Sequence, residues 1–247
     1  MRILTIDIET LPHLVWAWGL HDQNISLNQI DEAGTIACFA AKWHGEKAVE
    51  FASVHEGTER AMLRKAHDLL SEADAVVGWN SASFDIKWLQ GQFVKHKLPP
   101  PRPFKQIDLL RTARSKFKAA SNKLDYWARF LGIGAKEQTG GFDLWKACMA
   151  GDEKAWKTMR RYNIQDVRLT EQVYDRLRPW VTNHPNIGVI DGAHCCPKCS
   201  SEKLQYRGHY VTRHKRYPQL QCRSCFAWLY LVSGQLQAGV QKLREAA

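Results

Sequence analysis

Hydrophobic and polar positions change period several times along the 247-residue chain, and each change marks an element. Residues 1–8 carry a short strand pattern that runs directly into the acids Asp7 and Glu9. Residues 35–43 and 47–54 read as two more strands, joined by a turn at His44-Gly45-Glu46. Over 59–73 the spacing turns helical, with Met62, Ala66, Leu69 and Leu70 on one face. A buried-strand pattern at 74–80 precedes a helix through Phe84, Trp88, Leu89 and Phe93. The proline-rich stretch 99–103 is a stiff lead into a last strand near 106–109. Helices then dominate, at 123–131, 142–149 and about 152–177, the last with Asp152 as N-cap and Pro179 as its stop. Residues 10–34 fit neither period and carry Trp16 and Trp18 close together. Three strands, then helix, strand, helix, strand and more helices predict an α/β fold, a mixed β-sheet flanked by helices.

The tail differs. Residues 182–192 are rich in Asn, Pro and Gly and read as a connector between a first domain, 1–183, and a small module, 193–232. Residues 233–247 read as a short C-terminal amphipathic helix. Five of the seven cysteines fall in the module, and four of them form two CxxC knuckles, Cys196/Cys199 and Cys222/Cys225. Two knuckles supply four thiolates, which closes a tetrahedral site around one structural Zn²⁺ and predicts a zinc ribbon with a β-hairpin between the knuckles. Cys195 lies next to the first knuckle, and His194, His209 and His214 are further donors that a four-sulfur site does not need.

Charge adds direction. The formal net charge is +10, and residues 184–247 hold nine Lys/Arg against three Asp/Glu. Tyr206, Arg207, His209, Tyr210, Arg213, His214, Lys215, Arg216 and Tyr217 interleave bases with aromatics, a mixture suited to single-stranded nucleic acid. Docking onto a protein is the competing use of such a ribbon. The N-terminus turns acidic too early for a secretory signal, and no run reaches the roughly 18 apolar residues of a membrane span, so no membrane partner is expected and the cytoplasm, of a bacterium or a virus-infected host cell, is the default location.

Acids supply the candidate chemistry. Asp7 and Glu9 are two apart on a strand and therefore face the same way. Like charges on one face repel unless a cation lies between them, and Mg²⁺ or Mn²⁺ prefers such oxygens. Taken alone the pair is equally a solvated strand end. Asp85, after the loop Gly78-Trp79-Asn80-Ser81-Ala82-Ser83-Phe84, opens a helix, where an Asp also serves as an ordinary cap. Tyr162 and Asp166 are four apart on the long helix and share a face that Leu169 and Val173 continue.

In this order, Asp7-Ile8-Glu9-Thr10, Gly78-Trp79-Asn80 through Phe84-Asp85, and Tyr162 with Asp166 resemble the DEDD (DnaQ-like) 3′→5′ exonuclease superfamily. The likeness is to its tyrosine-containing subclass, and especially to the proofreading domains of family-B DNA polymerases. Residues 123–132 are similar to the helical stretch that those proteins carry before the last motif. The resemblance covers about residues 1–178 and implies an RNase H-like fold. It implies that Asp7, Glu9, Asp85 and Asp166 hold two Mg²⁺ or Mn²⁺ ions, and that Tyr162 orients the attacking water. Thr10, Leu11, Asn80 and Phe84 are implied to contact the terminal nucleotides, although the apolar context of Phe84 favours a core position and Leu11 equally suits ordinary packing. The activity implied is hydrolysis of 3′ ends, of single-stranded DNA first. The alternatives are an exoribonuclease, or an adaptor with a vestigial nuclease domain; a separate DNA polymerase or replisome component is the expected protein partner.

Overall fold

The computed structural model describes residues 1–187, 195–232 and 235–238. A five-stranded mixed sheet forms the centre, in the order β5-β4-β1-β6-β7. Its strands are β1 (Ile3–Thr10), β4 (Ile36–Trp43), β5 (Glu50–Ser53), β6 (Ala75–Gly78) and β7 (Lys105–Asp108). β1, β4 and β5 form an antiparallel meander, while β6 and β7 continue parallel to β1. The expected mixed sheet flanked by helices is therefore the observed one.

Strand parity decides what each face packs against. Leu4, Ile6 and Ile8 point to one face and bury against Met62, Leu63 and Leu70 of α1 (Glu59–Glu72) and Ile86, Leu89 and Phe93 of α2 (Asp85–Lys95). Ile3, Thr5, Asp7 and Glu9 take the opposite parity. There, Ile3 joins Val77, Ile107 and the apolar stripe Leu169, Val173, Tyr174 and Leu177 of a 25-residue helix, α6 (Glu153–Leu177). Ala37, Cys38 and Ala40 of β4 are fully buried beside Met159 and Val167 of α6, and such small side chains let the helix lie close to the sheet. Asp152 caps α6 by accepting from the backbone N–H groups of Lys154 and Ala155.

Three smaller helices complete this body: α3 (Leu109–Lys116), α4 (Leu124–Phe130) and α5 (Phe142–Met149). α3 lies where the sequence pattern showed only the end of a strand. Residues 10–34 are not wholly irregular, since β2 (Leu14–Val15) and β3 (Ile30–Glu32) pair into a small hairpin. Trp16, Trp18, Leu20 and Leu27 are exposed in it. Among the described residues no helix is long and apolar enough to cross a membrane.

The tail is a second sheet, antiparallel, in the order β11-β10-β9-β8. β8 (Leu204–Val211) and β9 (Arg216–Cys222) make the hairpin expected between the knuckles, and β10 (Trp228–Val232) and β11 (Gln235–Ala238) extend it. Residues 235–238 are thus strand, not the start of a helix: Leu236 is buried, and edge pairing with β10 satisfies that backbone. The rest of the expected C-terminal helix, 233–234 and 239–247, residues 188–192 of the connector and residues 193–194 of the module lie outside the described residues. The tail is pinned to the body by Lys198, whose buried Nζ donates to the carbonyls of Pro179 and Val181 just past α6. Ile187 N–H to Pro197 O and Asn186 Nδ2 to Leu236 O add to this seam.

Candidate active site

β1 ends at a bulge between Glu9 and Thr10, next to α6. One carboxylate oxygen from each of Asp7, Glu9 and Asp166 lies within 4.8 Å of the other two. Residues 157 positions apart or more along the chain meet because β1 parity aims Asp7 and Glu9 at the face that α6 covers. Asn163, one turn before Asp166, is fully buried and fixes the approach: its Nδ2 donates to Asp7 Oδ2 at 2.8 Å and to Asp7 O at 3.3 Å.

Asp85 stands beside this group and belongs to the same electrostatic cluster. It does not cap α2, whose N-cap is Phe84; instead its Oδ1 accepts the Ile8 N–H of β1 at 2.9 Å. The loop before it is tightly built. Asn80 holds a left-handed backbone with φ of 67°, and a Cβ on Gly78 would meet Ser81 at 2.5 Å. Asp108, a buried acid that the sequence patterns did not single out, organises that loop by accepting from Asn80 N and Ala82 N while capping α3 through Leu110 N.

Crowding dominates the electrostatics. Burial, then Asp85, Glu9 and Asp166, push the Asp7 carboxyl well above its ordinary range. Burial raises Glu9 to about 8, with Lys136 opposing and Asp166 and Asp85 adding. Burial raises Asp85 to about 6 against the pull of the Ile8 N–H, and it raises Asp166 as well. A cluster of carboxylates that cannot all ionise is one that a cation stabilises. Asp166 Oδ1, buried and without a hydrogen-bond partner among the described residues, gives the sharper test of fit. An orphaned anionic oxygen among clustered carboxylates suits a hard divalent ion with oxygen ligands.

One cation of the protein itself is already present. Lys136 Nζ ion-pairs with Asp166 and donates to the Tyr162 hydroxyl at 3.0 Å. Burial pulls the ammonium down, but Asp166 and Tyr162 outweigh it and keep Lys136 protonated. Burial and Asp166 push the Tyr162 phenol above its ordinary value. The loop holding Lys136 is fixed on both sides, by Asp125 Oδ1 accepting Lys136 N–H at 2.7 Å and by Gln165 Nε2 donating to Ala135 O at 2.8 Å. Residue 136 sits in a loop with no period, so nothing in the sequence pattern pointed to it.

The four residues expected at the substrate flank these acids in sequence. Thr10 lies past the bulge, partly buried, and Leu11 packs against the core beneath β4. Phe84 is not a core residue despite its apolar context: it is 38% exposed, edge-on to Trp88. Its ring is open to a ligand, whereas Leu11 has ordinary packing partners.

Matches to known proteins follow the same lines. The RNase_H_2 family model, described as RNase H superfamily, matches residues 6–178. The chain belongs to the RNase H superfamily. Among solved structures, the family B DNA polymerase of the hyperthermophilic archaeon Pyrobaculum calidifontis matches with a TM-score of 0.54 and 17% identity. That match covers 87% of this chain and 31% of the polymerase, so the RNase H superfamily protein spans about a third of its length. At this identity the likeness concerns fold. No curated protein matches.

The second donor cluster is in the tail. Sulfur atoms of Cys196, Cys199, Cys222 and Cys225 all lie within 4.8 Å of one another, with Cys196–Cys225 and Cys199–Cys222 at 3.6 Å. A disulfide would need about 2.05 Å. Four thiolates on about 2.3 Å bonds to zinc stand about 3.8 Å apart at tetrahedral angles, which these separations fit. Cys195 is buried outside this group, and His209 instead meets Tyr206 and Arg216. His214 falls in the exposed turn between β8 and β9, and residue 194 is outside the described part.

Proposed function

We propose that the chain is a metal-dependent exonuclease that hydrolyses phosphodiester bonds from 3′ ends, single-stranded DNA first, with the tail as a zinc ribbon. The observation that carries this reading is the convergence of Asp7, Glu9 and Asp166, with Asp85 beside them, around the unpartnered Asp166 oxygen. The order and local setting of these acids, with Tyr162 four residues before Asp166, support the tyrosine-containing DEDD subclass. Two divalent ions, when bound, would lower the pKa of an attacking water and neutralise charge on the phosphate and the leaving oxygen.

Asp7, which feels the other three acids, would hold the ions together with Glu9 and Asp166, and Asp85, already engaged by Ile8 N–H, would support them. Tyr162 has its phenol raised, so it stays protonated and orients a water rather than deprotonating it. Lys136 donates to the Tyr162 oxygen, and the phenol proton serves as a donor toward Asp166 or a water beside it. Its positive charge also lies where a scissile phosphate gains negative charge. Thr10, Leu11, Asn80 and Phe84 would seat the terminal nucleotides, with the open Phe84 ring the best placed to stack.

The test is digestion of 5′-labelled DNA and RNA oligomers with Mg²⁺ or Mn²⁺. A ladder that shortens one nucleotide at a time, stops with chelator, and is absent for Asp7→Ala and Asp166→Asn supports the reading. Full activity in either folded variant defeats it. The RNA arm decides between a deoxyribonuclease and an exoribonuclease.

A further inference from the structure

Between the end of α6 and the tail sheet lies an open groove of about 610 Å³. Trp180, from just past α6, lines it together with Tyr210, Phe226 and Trp228 of the tail. These rings are unusually open: Trp180 is 51%, Phe226 63% and Trp228 46% exposed. Lys116, at the end of α3, and Arg176, near the end of α6, border the groove, and neither pairs with a carboxylate among the described residues. No acid is part of the lining.

Phe226 is the most telling member. It follows the second thiolate knuckle in a left-handed conformation, φ of 62°, as Ser200 follows the first with φ of 58°. The knuckle imposes that conformation, since Phe226 N–H closes onto Cys222 O and Cys222 N–H onto Ala227 O. Glycine is the unstrained residue there, and a bulky ring adds strain. Burial does not compensate a ring left so exposed. The side chain is therefore held outward at a cost, in a basic groove that it lines with Trp180.

We infer that this groove binds the body of a single-stranded nucleic acid whose 3′ end occupies the carboxylate site, its bases stacked on Trp180, Phe226 and Trp228 and its phosphates on Lys116 and Arg176. Stacking platforms interleaved with cations are what unpaired strands require, and a duplex presents no open base face to them. The inference rests on the proposed nuclease reading for the 3′-end assignment but on its own residues for binding. Geometry links the two places: Asp166 and Arg176 are ten residues apart on one helix, about 15 Å at 1.5 Å per residue. A stacked strand rises about 3.4 Å per nucleotide, so on the order of five nucleotides span that gap. Lys198, clamped to Pro179 and Val181, holds the tail in register with the end of α6.

The experiment measures anisotropy of labelled dT and U oligomers of graded length against the full chain carrying Asp7→Ala, without added Mg²⁺ or Mn²⁺ and without chelator, so that no cleavage competes and the thiolate knuckles keep their metal. Affinity is expected to climb steeply once oligomers exceed the spanning length. Trp180→Ala and Phe226→Gly should each weaken long-oligomer binding by about tenfold, the scale of losing one stacked base. Phe226→Gly relieves backbone strain, so its loss of binding cannot be put down to misfolding. Lys116→Gln with Arg176→Gln should lower the slope of log affinity against log salt by about 1.4, roughly 0.7 per phosphate contact. With Asp7 intact, cleavage of trimers, too short to reach the groove, should stay unchanged in all of them. Unchanged long-oligomer affinity in the folded variants overturns the inference and leaves a protein as the occupant. A wild-type chain that cleaves nothing, yet loses binding in these variants, refutes the nuclease reading and keeps the groove.

Discussion

In the absence of Mg²⁺ and Mn²⁺ the Glu9 carboxyl should cost the protein stability as pH rises, and adding either ion should remove that cost. Glu9 carries the argument. Its carboxyl moves from an ordinary 4.5 to about 8 on folding, because burial and the Asp166 and Asp85 charges disfavour the ion more than Lys136 favours it. Between those values the folded chain keeps a proton that the unfolded chain has released, so each rise in pH favours unfolding. His184 works the other way. Burial lowers it from 6.5 to about 4, so the folded state gains stability as pH climbs through that range and then stops responding. Cys199, held low by its hydrogen bonds with Cys196 and Cys225, raises stability with pH across the Glu9 range. The Glu9 share is therefore read as the difference between wild type and Glu9→Gln. From about pH 6.5 to about pH 8, one proton at 1.36 kcal/mol per pH unit amounts to about 2 kcal/mol. For a domain of this size that corresponds to about 4–8 °C in melting temperature. Differential scanning calorimetry of wild type and Glu9→Gln across this range, without added Mg²⁺ or Mn²⁺, should show the wild-type melting point falling relative to the variant, and millimolar Mg²⁺ or Mn²⁺ should flatten that difference by holding the carboxylates ionised. A difference that stays level or rises across the range would refute the electrostatic account of the cluster.

Other perturbations separate catalysis from architecture. Asp7→Asn should remove activity yet raise the stability of the metal-free protein by about 1 kcal/mol, since it relieves repulsion while the amide can still accept from Asn163; urea titration in chelator reads this. Lys136→Met should lower kcat/KM by about a hundredfold through loss of a preorganised cation, and should destabilise the chelated protein by about 1–3 kcal/mol because Asp166 loses its partner. Circular dichroism and thermal melts in the two metal states distinguish those effects. Asp152→Ala should cost about 1 kcal/mol at the α6 cap with cleavage unaltered at low temperature. Cys199→Ser should abolish binding of zinc, measured by a metallochromic dye, and lower the melting point of the tail without removing cleavage of trimers.

What could be read from the chain depended on periodicity. Asp7 and Glu9 were legible as a pair because strand geometry fixes their common side, and Tyr162 with Asp166 because one helical turn does the same. Asn163 lies between Tyr162 and Asp166, and its position as the bracket between α6 and β1 follows only from the packing. Lys136 and Asp108 are set by loops, where no period constrains direction, so their parts at the site came from tertiary contacts. Phe84 was misjudged as core because an apolar neighbourhood in sequence says nothing about which side of an N-cap is covered. α3 was missed since its eight residues follow a strand without a break; Asp108, the strand's last residue, is also its cap. The thiolate spacing announced the tail, but the fourth strand was hidden: Leu236 gains its shelter from β10, a neighbour that local preference cannot see.

Lys198 sits between the two cysteines of the first knuckle, and its ammonium is the peg that enters the carbonyl socket beyond α6. The peg is aligned only while the knuckle keeps its shape, so oxidation of one thiol there would uncouple the appendage from the rod that carries Asp166. Redox damage far from the carboxylates would then surface as slackness in how long strands are threaded, with hydrolysis of the shortest ones intact.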